Sequence, residues 1–400
     1  MFAQIFSCPV TVARYRKGPM LEERLAFLTH LANQGYSRWG LQRNARDLLA
    51  IAHTLGLAGR PRKVLTLAEV KRKCANQRRL YLLATRWLQF MGRLQQQPAP
   101  LTPWARRIKA FADYMEHEAE LSPATIYFRC WWVRKFFERL RVKGRSLHEL
   151  TPHHIDMTFQ KLVEPGCYSR ETVQGCATAL RTFCRFAEAR RWCRKGLAAS
   201  IRNPRVFSQA SLPLGPSWDD VRRLLAMTEG DRPSNIRVRP ILMLLAIYGL
   251  RRGEVSRLRL EDFDWEHEVF RVISSKTGRI RTYPLIRSVG DAILRYLQEV
   301  RPRSSHRELF LSLRAPFRPV RTSLWSMVGD RLRSLDVSLP HYGPHVLRHA
   351  CAMRLLATGL SLKEIGDQLG HTDPDSTRIY AKVDLVGLRE VADFDMGGVL

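Results

Sequence analysis

Residues 241–255 read Ile241-Leu242-Met243-Leu244-Leu245-Ala246-Ile247-Tyr248-Gly249-Leu250-Arg251-Arg252-Gly253-Glu254-Val255, and the first ten are the longest apolar run of the chain. Ten residues is about half of what a bilayer-spanning helix needs, so the run predicts a helix buried in a soluble domain. Ile241, Leu244, Leu245 and Tyr248 recur at helical spacing, and Gly249 suits the left-handed turn that closes a helix. Arg251 follows where the chain leaves the core, so a fixed cation is expected at that helix end.

Working outward, Val269 to Ile273 and Ile280 to Leu285 are strand-like, with Gly278 in the turn and Lys276 at the hairpin tip. Gly343-Pro344 starts a helix that Gly359 stops, and Ser361 with Glu364 predicts a capping box for the next. Gly370 ends that helix, and Asp373-Pro374 begins a last one that carries Tyr380. Upstream, Ser217 with Asp220 opens a helix. The fold class expected is therefore mainly α with one small antiparallel β-sheet. Proline-bearing breaks at Gln95–Pro103 and Asn203–Ser217 read as linkers. They divide the chain into 1–97, 104–202 and 214–400. In the first part the cations from Arg72 to Arg93 are expected on one third helix. In the second, Ile126, Phe128, Trp132, Val133, Phe136, Phe137 and Leu140 form the stripe of a helical bundle and read as core.

Four hundred residues exceed one ordinary core, and 45% hydrophobic with 26% charged residues is a globular balance. The formal charge of +29 decides more. Residues 1–100 carry net +13, residues 101–213 net +10, and residues 214–400 only +6. Such an excess repels itself unless a polyanion neutralises it, so nucleic acid is the expected partner and the first half the expected grip. The eight cysteines form no C-x-x-C pair and no zinc-ligand spacing, so no metal site is legible and reduced core thiols are expected. Arg14, Arg16 and Lys17 follow rather than precede the apolar N-terminal residues, unlike a secretory signal. A cytoplasmic protein with no membrane partner is the expectation.

Arg251, Lys276, His345, Arg348, His371 and Tyr380 are the chemistry-bearing set. Singly, each has a plainer reading: a helix-end cation, a solvated turn lysine, capping or core histidines, a packed tyrosine. Together they suit attack on a phosphodiester. Guanidinium forks match the non-bridging oxygens and the added charge of a pentacovalent transition state. A tyrosine can attack phosphorus and a lysine can protonate the departing 5′ oxygen. With this many fixed cations the chemistry asks for no metal and no cofactor.

Tyr248-Gly249-Leu250-Arg251-Arg252-Gly253-Glu254-Val255 resembles the first arginine box of the tyrosine recombinase (phage integrase) family. Gly343-Pro344-His345-Val346-Leu347-Arg348-His349 resembles its H-x-x-R box, and Leu369-Gly370-His371 with Ile379-Tyr380 its L-G-H…Y ending. Lys276-Thr277-Gly278 is similar to its hairpin lysine, and segment 104–202 to its helical, SAM-like core-binding domain. Arg252 departs from the small or apolar residue expected there.

The resemblance implies a multidomain DNA clamp in which Tyr380 is the nucleophile. Arg251 and Arg348 would hold the scissile phosphate, Lys276 would be the general acid, and His345 and His371 would assist proton transfer or orient the phosphate. Glu254 would support the site. It further implies a 3′-phosphotyrosyl intermediate, double-stranded DNA as substrate, and a homotetramer on two DNA sites. A mobile-element, transposase-like member is the expected kind, prokaryotic and nucleoid-associated, with other element-encoded recombinases or accessory proteins as further partners. Type IB topoisomerase-like relaxation and a non-catalytic DNA-binding regulator are the alternatives. Segment 1–97 matches no motif; its charge favours DNA. The acidic, apolar tail from Asp384 to Leu400 is expected to dock on a neighbouring protomer.

Overall fold

The computed structural model describes residues 1–58, 64–74, 77–95, 103–140, 147–162, 168–202, 215–274, 278–371 and 373–383. Its first segment runs α1 (Phe2–Ile5), α2 (Pro9–Lys17), α3 (Leu21–Asn33), α4 (Arg38–Thr54), β1 (Leu65–Thr66), α5 (Leu67–Lys73), α6 (Arg78–Phe90) and β2 (Leu94–Gln95). Ser37 opens α4 by accepting from the Gly40 N–H, and Thr66 with Glu69 caps α5 reciprocally. Phe27, Leu28, Leu31, Leu48, Ile51 and Trp87 fill a core belonging to this segment. Two features differ from the sequence reading. The expected third helix is two, α5 and α6, and Arg93 lies beyond both, 7% exposed, with Nη1 3.7 Å from the Met20 sulfur. A two-stranded parallel pairing, Leu65 opposite Leu94, was also not expected. Residue pairs so short and so distant in sequence carry no period-2 pattern.

The second segment holds α7 (Pro103–His117), α8 (Pro123–Arg139), α9 (Pro152–Leu162), α10 (Arg170–Ala189) and α11 (Leu197–Ser200). Ser122 caps α8 and Pro123 takes its first position, where a missing N–H costs nothing. Trp132 and Phe136 are buried, as is Phe111 from α7 and Phe183 from α10. Phe128 is 43% exposed despite its place in the stripe. It lies early in α8, at the margin of the core, edge-on to Trp132 and over Gly175.

The third segment contains α12 (Trp218–Ala226), α13 (Pro233–Ala246), α14 (Arg252–Val255), β3 (Phe263–Asp264), β4 (Val269–Ile273), β5 (Ile280–Pro284), α15 (Arg287–Arg295), α16 (Ser323–Arg333), α17 (Pro344–Ala357), α18 (Leu362–Leu369) and α19 (Asp375–Arg378). The sheet is antiparallel in the order β3-β4-β5, with Phe270 opposite Tyr283. α13 is buried nearly all round, as its apolar sequence requires, and packs against α15, α16 and α17. Ser361–Glu364 forms the expected capping box, and the helix expected to open at Ser217 with Asp220 does so through a second one. Tyr380 sits on a 3-10 turn, Ile379–Val383, rather than on a regular α-helix, because α19 tightens after four residues.

By contact the chain forms two compact units, Met1–Gln95 with Ser211–Leu400, and Gln96–Ala210. Within the first, Gly35 (φ +82) lies against the Phe317 ring and leaves no room for a side chain. No described helix is long and apolar enough to cross a membrane. Of the cysteines, Cys74, Cys130, Cys176, Cys193 and Cys351 are buried, Cys184 is partly so, and Cys8 is exposed.

Candidate active site

Three remote stretches of the third segment meet at the end of α18. Gly249 (φ +62) turns the chain after α13, Leu250 stays buried, and Arg251 emerges as the residue capping α14. The Arg251 backbone N–H donates to Glu254 Oε2 at 2.8 Å and its Nη1 to Glu254 Oε1 at 3.2 Å. Its Nη2 reaches across to the Gly370 carbonyl at 3.0 Å. Arg348, in the second turn of α17 and 1% exposed, donates to the Gly249 carbonyl at 2.5 Å and to the Leu369 carbonyl at 2.8 Å. The two guanidinium groups therefore end on consecutive carbonyls, with His371 next in the chain. Gly370 makes this convergence possible, since α18 ends there in the left-handed conformation (φ +65) that glycine adopts without strain.

Arg281, on β5, completes the cluster. Its Nη2 donates to Glu254 Oε1 at 2.7 Å, and its Nη1 to the Tyr283 hydroxyl and, at 3.3 Å, to the Gln368 carbonyl. Arg251 and Arg281 pair with one carboxylate that is 2% exposed, and Arg348 lies within its electrostatic reach, so the three cations exceed it by two positive charges. The uncompensated repulsion is felt locally. Burial, with Arg251 adding repulsion, pushes the Arg348 guanidinium down to about 10. His371 is pushed down to about 4, mainly by burial and then by Arg348, Arg251, His345 and Arg281. Its Nδ1 lies 2.6 Å from the Thr377 hydroxyl, which orients the ring.

Tyr380 is 1% exposed among Cys351, Ala352, Ile365 and Leu369. Its hydroxyl lies 3.0 Å from His349 Nδ1, and the His349 ring in turn meets the His345 ring edge-on at 4.5 Å. Burial raises the phenol to about 12, with Arg348 opposing and Cys351 adding to the shift. His349 is pushed down to about 4 by burial, then by His345, His341 and Arg348.

Of the six residues singled out in the sequence, Arg251, His345, Arg348, His371 and Tyr380 come together. Lys276 lies outside the described residues; the flanking strands pair as far as Ile273 opposite Ile280. Two participants were not singled out. Arg281 is one of several cations on a half-exposed hairpin, and nothing in its local spacing sets it apart. His349 had a usable signal: it falls four residues after His345, on the same helix face. An open cleft borders Glu254 and is lined by Arg257, Arg259 and Arg321 with Asp262 and Glu308. Among the described residues no group of three His, Cys, Asp or Glu side chains could hold a metal ion.

Comparison with known proteins gives one answer. The profile of the phage integrase family matches residues 217–385, and that of the phage integrase N-terminal SAM-like domain matches residues 108–191. A Sinorhizobium fredii protein named as integrase/recombinase y4rA is 40% identical over 290 residues, covering 72% of this chain and 70% of its own length. Tyrosine recombinase XerC of Alcanivorax borkumensis is 31% identical, covering 72% of this chain and 92% of its own. Among solved structures, XerH recombinase bound to a palindromic difH substrate has the same fold at 17% identity, with a TM-score of 0.56 over 81% of this chain and 92% of that one. A lambda integrase dimer (its residues 75–356) bound to a core site gives a TM-score of 0.54 at 15% identity, over 69% and 94% of the two chains.

Proposed function

Because the chain belongs to the phage integrase family of tyrosine recombinases, it is a site-specific recombinase that cleaves and rejoins DNA, and we propose that Tyr380 is the nucleophile of that reaction. The observation that carries this assignment is the convergence of Arg251 and Arg348 on the neighbouring carbonyls of Gly370 and Leu369, in a cluster with two charges more than its carboxylate neutralises. A phosphodiester brings the missing negative charge. Arg251, its side chain 39% exposed, is the member of the pair that presents itself outward, while Arg348 holds the floor.

On this reading the Tyr380 oxygen attacks phosphorus, forming a 3′-phosphotyrosyl bond, and the bond to the 5′ oxygen breaks. Lys276 gives that oxygen its proton. Arg251 and Arg348 stabilise the charge that builds on the non-bridging oxygens, worth several kcal/mol in a buried site, where each donor removed costs about 3 kcal/mol. His345 and His371, kept neutral at physiological pH, orient the phosphate by hydrogen bonding. Attack by a 5′ hydroxyl on the phosphotyrosine reverses the sequence and rejoins the strand. Each half conserves one phosphoester bond, so no energy source is consumed.

The organisation we infer has a DNA-facing basic segment at 1–97, a core-binding domain at 104–202 and a catalytic domain at 214–400 closing on duplex DNA as a clamp. The working assembly is a homotetramer on two sites, and the setting a mobile element whose integration or transposition it serves. Neither DNA relaxation alone nor regulation without catalysis is favoured by the relatives, which are named as recombinases. The test is covalent trapping on a suicide substrate, a duplex nicked beside the scissile phosphate and drawn from DNA flanking the gene. The parent chain should be trapped and Tyr380→Phe should not; trapping by the variant refutes the assignment.

A further inference from the structure

We infer that His349 is the base that receives the Tyr380 phenolic proton as the tyrosine attacks phosphorus, an assignment that rests on Tyr380 being the nucleophile. Among the described residues, the Tyr380 hydroxyl is hydrogen-bonded to His349 Nδ1, at 3.0 Å, within the reach required of a general base. The ring carrying its proton on Nε2 leaves the Nδ1 lone pair to accept from the phenol. Helix register then connects this nitrogen to the exterior. His345 precedes His349 by one turn of α17, their rings touch edge-on at 4.5 Å, and His345 lies exposed at the start of the helix.

The charged and titratable groups that face His349 are His345 and Arg348 on its own helix, His341 before it, and Tyr380 from the C-terminal turn. Burial first, and then the neighbouring His345, His341 and Arg348, disfavour the imidazolium, so the Nδ1 lone pair is available across the physiological range. They also make it a weak base, while burial makes the phenol a reluctant acid. Transfer ahead of attack is therefore steeply unfavourable. It becomes favourable in step with bond formation, because the phenolic oxygen loses its basicity as it bonds to phosphorus. The arriving phosphodiester helps by offsetting Arg348. In balance, the Tyr380 O–P bond forms, the phenolic proton passes to His349 Nδ1, and the P–O5′ bond breaks with protonation of the 5′ oxygen by its own donor. Rejoining returns the proton from the imidazolium to Tyr380, so His349 ends the cycle unchanged.

The experiment measures single-turnover trapping at saturating protein on the nicked duplex from DNA flanking the gene that traps the parent chain best. His349→Asn keeps a hydrogen-bonding group near the Nδ1 position but cannot take up a proton, and His349→Ala leaves a cavity that added imidazole can enter. Both should slow trapping at pH 7.5 by about 100-fold or more while still shifting the duplex in gels. Imidazole should restore His349→Ala at least about tenfold, with more basic derivatives restoring it further, and should do nothing for His349→Asn. A purely structural histidine would show neither the rescue nor its dependence on the basicity of the added base. His349→Asn trapping within about threefold of the parent overturns the inference, and so does a slow His349→Ala that imidazole leaves unchanged. Should Tyr380→Phe itself be trapped, the nucleophile assignment falls first; should Tyr380→Phe be inert while His349→Asn is fast, only the base is wrong.

Discussion

Glu254 Oε1 accepts from Arg281 Nη2 at 2.7 Å, and this buried contact ties the hairpin to the turn that carries Arg251. Its position explains why a carboxylate belongs in an otherwise cationic cluster. Without it, Arg251, Arg281 and Arg348 would repel one another with nothing between them.

Removing one partner of a buried pair leaves the other charge unmet, which is costlier than never having had the pair. Glu254→Ala should therefore destabilise the third segment by about 3 kcal/mol, read as a fall in the urea midpoint. Glu254→Gln keeps the acceptor oxygen and should retain more than half of that stability. Trapping activity should fall furthest in Glu254→Ala, where Arg251 loses both acceptors, and less in Glu254→Gln, which keeps one of them.

Gly370 faces two constraints at once. It sits at φ +65, and a Cβ there would run into the Arg281 guanidinium. The left-handed conformation alone costs an L-residue about 1 kcal/mol. Gly370→Ala should lose roughly that much stability but a larger share of activity, because Arg281 and the Leu369–Gly370 carbonyls must shift. Equal proportional losses in a melting curve and a trapping assay would contradict this.

The elements around this site were legible where local chemistry alone decides them. Ser217–Asp220 and Ser361–Glu364 are reciprocal caps written within four residues, and Gly249 and Gly370 end helices because their conformations are open mainly to glycine. Arg251, Arg348 and Tyr380 were legible by resemblance, because each sits in a short box. Arg281 was not: its role comes from the tertiary pairing of a strand with a carboxylate 27 residues earlier, which no local pattern encodes. The burial of Arg93 beside Met20 is likewise settled by packing against a residue distant in sequence.

We propose Lys276 as the proton donor to the leaving group, and a leaving group that needs no proton tests it directly. Lys276→Ala should slow cleavage of an ordinary duplex by about 100-fold or more. A duplex with sulfur in place of the bridging 5′ oxygen should be cleaved by this variant nearly as fast as by the parent, since a thiolate departs unprotonated. Equal slowing on both substrates would remove the lysine from that role.

The tail from Asp384 to Leu400 carries Leu385, Leu388, Val391, Phe394 and Leu400 with few cations, so protein rather than DNA is its expected partner. Deleting residues 386–400 should weaken assembly on paired sites, measured by analytical ultracentrifugation with two-site DNA, while binding to a single site is kept. Unchanged assembly would refute the docking of this tail on a neighbouring protomer.

His349 and His371 make stability depend on pH in a definite direction. Both are held near 4 in the folded chain by burial and neighbouring cations, against an ordinary value of 6.5 when unfolded. Above 6.5 both are neutral in either state and the fold keeps its full stability. As the pH falls below 6.5 the unfolded chain binds protons that the folded chain refuses, so stability is lost until the pH passes about 4, where both states are protonated. The loss across this window should be on the order of a few kcal/mol, moderated by the partial exposure of both rings. Urea midpoints of the full chain at pH 7.5, 6 and 5 should fall in that order, and His371→Asn should flatten the trend. A midpoint that rises as the pH falls would mean that these histidines gain protons on folding, contrary to the repulsion from Arg251, Arg281 and Arg348 that surrounds His371.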